Sequence, residues 1–531
     1  MSGNITLSEV NKNAYDEMPY ESNPYFQTHP EHLRTVGVLF GMDPVKIENA
    51  RILELGCASG GNIIPIAYNS PKSKLVGIDN SQIQIDLANK EIKELGLKNI
   101  EFKCCSILDI NESIGKFDYI IVHGIFSWVP VAVRSKIFEI CSKLLTDQGI
   151  AYISYNTLPG WNMVKSIRDM MLYHGSFFTN IHDKINQSKI FLNFVSSSLD
   201  GQNSPYASFL KQEIQLLSNQ PDSYIRHEHL EDINQPYYFN DFMKEANNLD
   251  LQYLADAHIS SMFLGNMPQK VIDQLSVIND IIRLEQYMDF IYNRRFRTTL
   301  LCKKNINLNR SLTTNDINKF YLTFKVVPEK PLSSIDLNNT AENLKFYYNN
   351  TEVNVATTSP SMKAILYTFS ENILNPLKVD EVVKLASKKV KVTVDQIKTD
   401  LLNQAMPFVL KGLISITLSK NNYVTEIPDK PKVSSLTLYQ AEKTPNLWVT
   451  NNKHERIGIN LFDKYALRYM NGKLSKDEII IKVLENHLNK GDINLTKDNK
   501  KIEDKLEIKN ELGLFMTQTL DRLLQNGLFI S

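Results

Sequence analysis

Three stretches of this chain carry residue types able to do chemistry on a bound small molecule. The first is Glu54-Leu55-Gly56-Cys57-Ala58-Ser59-Gly60-Gly61-Asn62. Its glycines permit a tight turn and a close backbone approach to a ligand. The second is Asp79, closing the run VGIDNS, where a carboxylate can accept both hydroxyls of a ribose. Dinucleotide-binding proteins share that spacing, but the leading acid in E-x-G-x-x-x-G separates the two cases. A pyrophosphate wants a helix N-terminus without a carboxylate, whereas Glu54 suits a ligand with a cationic amino-acid head. The third feature is a pair of aromatic loops, His123-Gly124-Ile125-Phe126-Ser127-Trp128-Val129-Pro130 and Ser154-Tyr155-Asn156-Thr157-Leu158-Pro159-Gly160-Trp161.

These loops need elements to hold them, and the chain supplies a regular alternation. Strand-like runs are RILEL (51–55), KLVGID (74–79), IEFKC (100–104), FDYIIV (117–122) and GIAYIS (149–154). Helix-like runs at 62–69, 81–95, 131–145 and 162–175 separate or follow them. Strand, helix, strand with short links predicts a parallel sheet covered on both faces. LQYLADA (251–257) and RRFRTTLLCKK (294–304) would complete it as a sixth and seventh strand. The expected class is therefore α/β, a Rossmann-like seven-stranded core with a helical insertion, followed by C-terminal α+β winged-helix-like domains. The domains expected are a core with its N-terminal arm (1–175), a helical insertion (176–240), a segment completing the sheet (241–305), a middle domain (306–435) and a C-terminal domain (436–531). Residues 305–316 read as a linker. The apolar run KIFLNFVSSSL (189–199) makes the insertion a candidate for self-association or a lid.

The turn with its leading acid, and the late closing hairpin, resemble class I AdoMet-dependent methyltransferases over residues 50–155. The resemblance implies S-adenosylmethionine as cofactor and S-adenosylhomocysteine as product. It places Glu54, Gly56 and Ala58 around the methionine part, counts Cys57 and Asn62 among the cofactor-binding residues, and places Asp79 at the ribose with Asn80 and Ser81 beside it. Cys105-Ser106-Ile107 falls in the adenine loop, although many relatives have Asp where Ser106 stands. His123-Gly124 falls where methyl group and acceptor meet. The chain has no Pro-Pro, which base N-methylating enzymes commonly show there, and no Pro-Cys for cytosine C5 chemistry.

A wider resemblance follows from YDEMPYESNPYFQTHPEHL (15–33), HGIFSWVP, SYNTLPGW and YIRHEHLEDINQPYYFNDF (224–242). The whole chain is similar to bacterial methyltransferases with a methyltransferase regulatory domain, and within them to rickettsial protein lysine methyltransferases acting on outer membrane protein B. That implies lysine acceptors, up to trimethyllysine. Tyr20, Phe126, Trp128, Tyr155 and Trp161 would then line a channel for the lysine stem, competing with plain core packing, and His123 would be a base or a backbone contact. His227 and His229 read as a structural pair, since no third metal ligand is evident; no metal is expected.

Composition bounds the alternatives. Lys plus Arg and Asp plus Glu are both 59, and this balance argues against a long nucleic-acid footprint. The five cysteines show no zinc-type pairing and read as reduced thiols. No stretch reaches the roughly 18 apolar residues of a membrane span, and residues 1–20 do not read as a signal peptide, so a cytoplasmic homodimer acting on a protein is expected. A methyltransferase of small molecules or nucleic acid, and a non-catalytic AdoMet sensor, are the competing readings. The C-terminal modules would dock the protein substrate, so a chain ending near Lys304 would, if stable, still bind AdoMet while losing most protein methylation.

Overall fold

The computed structural model describes residues 22–531 other than 350, 421, 498, 499 and 503. The first helix, α1 (Pro30–Leu39), is followed by β1 (Arg51–Leu55), α2 (Ile63–Asn69), β2 (Lys74–Asp79), α3 (Gln82–Glu94), β3 (Ile100–Cys104), β4 (Phe117–Val122), α4 (Val131–Leu144) and β5 (Leu145–Asn156). After an excursion described below, β6 (Leu251–Asp256) and β7 (Phe296–Lys303) close a seven-stranded sheet in the order β3-β2-β1-β4-β5-β7-β6. Pairing is parallel from β3 to β5, while β7 runs antiparallel to both β5 and β6. Strand periodicity explains why both faces are apolar. Ile52, Tyr119, Ile121 and Ile150 point to one face, and their neighbours Leu53, Ile120, Val122 and Ala151 to the other.

Between β5 and β6 lie α5 (Gly160–Gly175), α6 (Ile181–Ser198), α7 (Pro205–Ser218), a π-turn (Ile225–His229) and α8 (Phe239–Asn247). Helices α5 to α7 and the turn share a small core of their own, including Ile167, Met171, Ile185, Leu192, Leu210 and Ile225. Helices α9 (Gln269–Leu275) and α10 (Ile281–Tyr292) precede β7. Arg297 of β7 is 1% exposed and bonds Asp289 (2.8 Å) and Glu285 (2.8 Å) of α10, so a fully buried charge is matched by two carboxylates.

The stretch read as a linker is packed. Ile306, Leu308 and Leu312 lie against the main core, and the Arg310 guanidinium donates to the carbonyls of Tyr253 and Leu254. The residues that follow extend that same core: Phe320, Leu322, Phe346, Ile365, Leu401 and Ile414 cluster with Leu33, Val36 and Ile52. The helices Val379–Ala386 and Val394–Leu410 are followed by a strand at Ile414–Thr417. A separate core further on joins Val433, Val449, Leu467, Ile479, Leu520 and Phe529. Among the described residues, no helix is long and apolar enough to cross a membrane.

Candidate active site

The glycine-rich turn leaves β1 at Gly56, whose φ is +70°. The Gly56 and Cys57 N–H groups donate to the Ile78 carbonyl at 2.7 and 3.0 Å, tying the turn to the end of β2. A Cβ at Gly56 would stand 2.3 Å from Ile125 Cδ1, so the position tolerates no side chain. Ala58 also has positive φ and donates its N–H to Asp79 Oδ2 at 2.9 Å. Asp79 Oδ1 accepts from Ser81 N at 2.9 Å. Asp79 lines the ligand cavity.

Glu54 is 3% exposed. Its Oε1 accepts from Asn62 Nδ2 at 2.7 Å, while Oε2 is buried without a partner. Burial, reinforced by the charge of Asp79, pushes this carboxyl up to about 8. A buried carboxylate oxygen left bare at a ligand cavity is a site for a cationic group, and the α-ammonium of AdoMet is one. With the glycine turn and Asp79, the residues present fit that cofactor, and Ser106 and Ile107 line the same cavity where an adenine could lie.

That cavity, about 1210 Å³, is lined as well by Gly124, Trp128, Trp161, Phe296 and the turn His227-Glu228-His229. Trp128 and Trp161 meet edge to face at 6.1 Å. His123 shares Nδ1 with the Tyr152 hydroxyl at 3.0 Å, and its ring lies 3.9 Å from that of Tyr25. Burial pulls this imidazole down to about 4, so it is neutral at physiological pH. Arg295, also in the lining, grips Glu213 with both terminal nitrogens, at 2.9 and 2.6 Å.

The structure brings most of the expected residues together. Glu54, Gly56, Cys57, Ala58, Asn62, Asp79, Asn80, Ser106, Ile107, His123, Trp128 and Trp161 all line the cavity. Three do not join them. Tyr155 is 1% exposed in the core, stacked on Phe242 at 4.1 Å with its hydroxyl on Thr299 Oγ1. Phe126, fully buried against Phe138 and Phe242, is likewise core. Both lie in the elements expected, on the face turned from the cavity. Ser81 caps α3, its Oγ accepting from Gln84 N, and its side chain does not line the cavity. Tyr20 lies outside the described residues.

The sequence reading missed several neighbours. Ser22 and Tyr25 bring the N-terminal arm across the turn, Ser22 Oγ accepting from Gly61 N at 2.8 Å. His454, from the C-terminal domain, reaches Asn62 Oδ1 at 2.9 Å. Glu213, Glu228, Arg295 and Phe296 enter from the insertion and β7. The only signal for Glu228 was YIRHEHLED itself, read for its histidines. Among the described residues no group of three His, Cys, Asp or Glu is arranged to hold a metal.

Sheet order, turn and ligand cavity define a class I AdoMet-dependent methyltransferase. Family models agree: a methyltransferase domain matches residues 46–213, a predicted methyltransferase regulatory domain 221–303, and the PKMT C-terminal winged helix domain 429–528. PKMT2 from Rickettsia typhi is 40% identical, with a TM-score of 0.89 over 97% of this chain and 100% of that one. Its complex with AdoHcy superposes with a TM-score of 0.90 at the same identity and coverage. An uncharacterized protein of Rickettsia prowazekii is 54% identical over 99% of this chain and 95% of its own length. The chain belongs to the PKMT family of AdoMet-dependent methyltransferases.

Proposed function

We propose that this enzyme transfers methyl groups from AdoMet to lysine side chains of a protein, an outer membrane protein such as outer membrane protein B, with trimethyllysine as the end product. The observation that carries the reading is that aromatic residues share one cavity with the cofactor-type turn. Trp128, Trp161 and Phe296 offer flat apolar walls to an aliphatic stem, and rings attract a cationic head by about 0.5–2 kcal/mol. The sequence likeness to PKMT2 supports the same acceptor class. When bound, AdoMet supplies an electrophilic methyl on a cationic sulfur. Glu54 would orient its ammonium, Asp79 its ribose, and Ser106 and Ile107 its adenine. Neutral His123 would accept or donate a hydrogen bond beside the reacting centre rather than carry charge. Incubation with methyl-labelled AdoMet and lysine-bearing proteins, then mapping of labelled residues by mass spectrometry, tests the reading; label on RNA with none on lysine would overturn it. The protein is further proposed to work in the cytoplasm as a homodimer, which cell fractionation and the light scattering described below would check.

A further inference from the structure

A lysine amine arrives protonated, since only roughly one in a thousand is neutral at pH 7. The transfer therefore needs a group that takes its proton close to the methyl. Of the acids lining the cavity, Glu54, Asp79 and Asp109 lie with the cofactor loops, and Glu213 is held bidentately by Arg295. His123, pulled far down by burial, is too weak a base for an ammonium. Glu228 remains. It lines the same cavity as Trp128, Trp161 and Phe296, is half-buried, and makes no hydrogen bond or ion pair with any described residue. Beside it, His229 is 3% exposed with Nδ1 buried and unpartnered, and it lines the same cavity. Both sit on the π-turn Ile225–His229, a local widening that interrupts regular helix and recurs at functional sites.

We propose that Glu228 is the residue that receives the acceptor amine, binding the incoming ammonium as a carboxylate and taking the proton that blocks its attack. The inference rests on the reading of the acceptor as lysine. The proton passes from the ammonium nitrogen to a Glu228 oxygen. The freed lone pair then forms the N–C bond to the methyl while the C–S bond breaks, both its electrons staying on sulfur. Glu228 returns its proton to water before the next methyl is added. Burial pushes this carboxyl up to about 7, which lets it accept and release a proton near neutrality. The charges around it are otherwise committed. On its own turn Arg226 bonds the Leu230 carbonyl and approaches Glu231, and His227 Nδ1 lies 3.3 Å from Glu231. Tyr224, also facing Glu228, is held protonated by burial. From α5, Arg168 donates to the Glu231 carbonyl and helps keep His229 neutral.

The test uses the full chain carrying Glu228→Gln, with Glu228→Asp as the conservative partner. Calorimetry should show AdoMet affinity within about twofold of wild type for both, which also reports folding. Methyl transfer to a lysine-bearing protein should fall at least ~100-fold in Glu228→Gln and recover in part in Glu228→Asp. The acid limb of the kcat/KM profile, near pH 7 in wild type, should move up by more than one pH unit in Glu228→Gln. Wild-type rates and an unmoved limb in Glu228→Gln, while wild type labels lysine, would overturn the role of Glu228 alone. A wild-type enzyme that labels no lysine would overturn the substrate reading and this inference with it.

Discussion

Glu54 sits in the folded protein as a largely protonated acid at pH 7, because burial and Asp79 push its carboxyl from about 4.5 to about 8. A ligand ammonium selects the carboxylate instead. AdoMet binding should therefore expel a proton below pH 8, and its affinity should rise with pH toward that value, by at most tenfold per unit. Calorimetry in buffers of different ionisation enthalpy at pH 7 should record release of up to one proton. Glu54→Gln should remove that release and weaken binding; unchanged proton release in the variant would show that Glu54 does not meet the ammonium. At this scale the sequence was readable where a motif is local. Glu54 and Asp79 lie at the ends of adjacent strands and Asn62 at the start of the helix that joins them, so their meeting follows from the turn and the parallel register. Tyr25 and Glu228 come to the same cavity, and His454 to its lining residue Asn62, from three distant segments, and no spacing along the chain encodes that meeting.

The strands were legible because the central ones alternate between two buried faces and are bounded by turn residues, whereas the edge strand β3 is largely exposed. The same alternation misled over Tyr155 and Phe126. Both occur in loops or strand ends that border the cavity, but which face a ring takes depends on register and on packing against Phe242, which arrives from α8. Arg297 was equally hidden: its partners Glu285 and Asp289 belong to α10, and only the folded hairpin brings them to β7. The insertion shows the opposite case, where a helix states both of its faces. Ile185, Ser188 and Leu192 of α6 are buried against α5 and α7, while Ile190 and Phe194 stand exposed on the far side, as do Tyr173 and Phe177 at the end of α5. Isolated exposed rings are ordinary, but several on one helix pair suit an interface between copies. Light scattering at micromolar concentration should give a dimer that Phe177→Glu with Phe194→Glu dissociates. A monomeric wild-type protein would contradict the interface.

Across the whole molecule the C-terminal domain and the cofactor turn form one continuous arrangement. His454 donates from Nε2 to Asn62, whose amide also takes up Tyr25 N and Thr28 Oγ1 and holds Glu54. Ser435 N adds a second bridge to the Tyr68 hydroxyl at 2.9 Å. The middle residues share the main core outright. A chain ending near Lys304 would expose that core, which bears on the stability that its expected AdoMet binding presupposes. Removing the single donor in His454→Ala should weaken AdoMet binding about 2- to 10-fold, as suits one hydrogen bond of roughly 0.5–1.5 kcal/mol. Calorimetry on the full-length variant checks this, and undiminished affinity would uncouple the domain from the cofactor. The most direct measurement for the account as a whole is residue-level mapping of transferred methyl groups. Full-length enzyme with methyl-labelled AdoMet and an outer membrane protein substrate should place label on lysine Nζ, with an equal yield of AdoHcy. Label confined to another residue type, to nucleic acid or to a small molecule would contradict it.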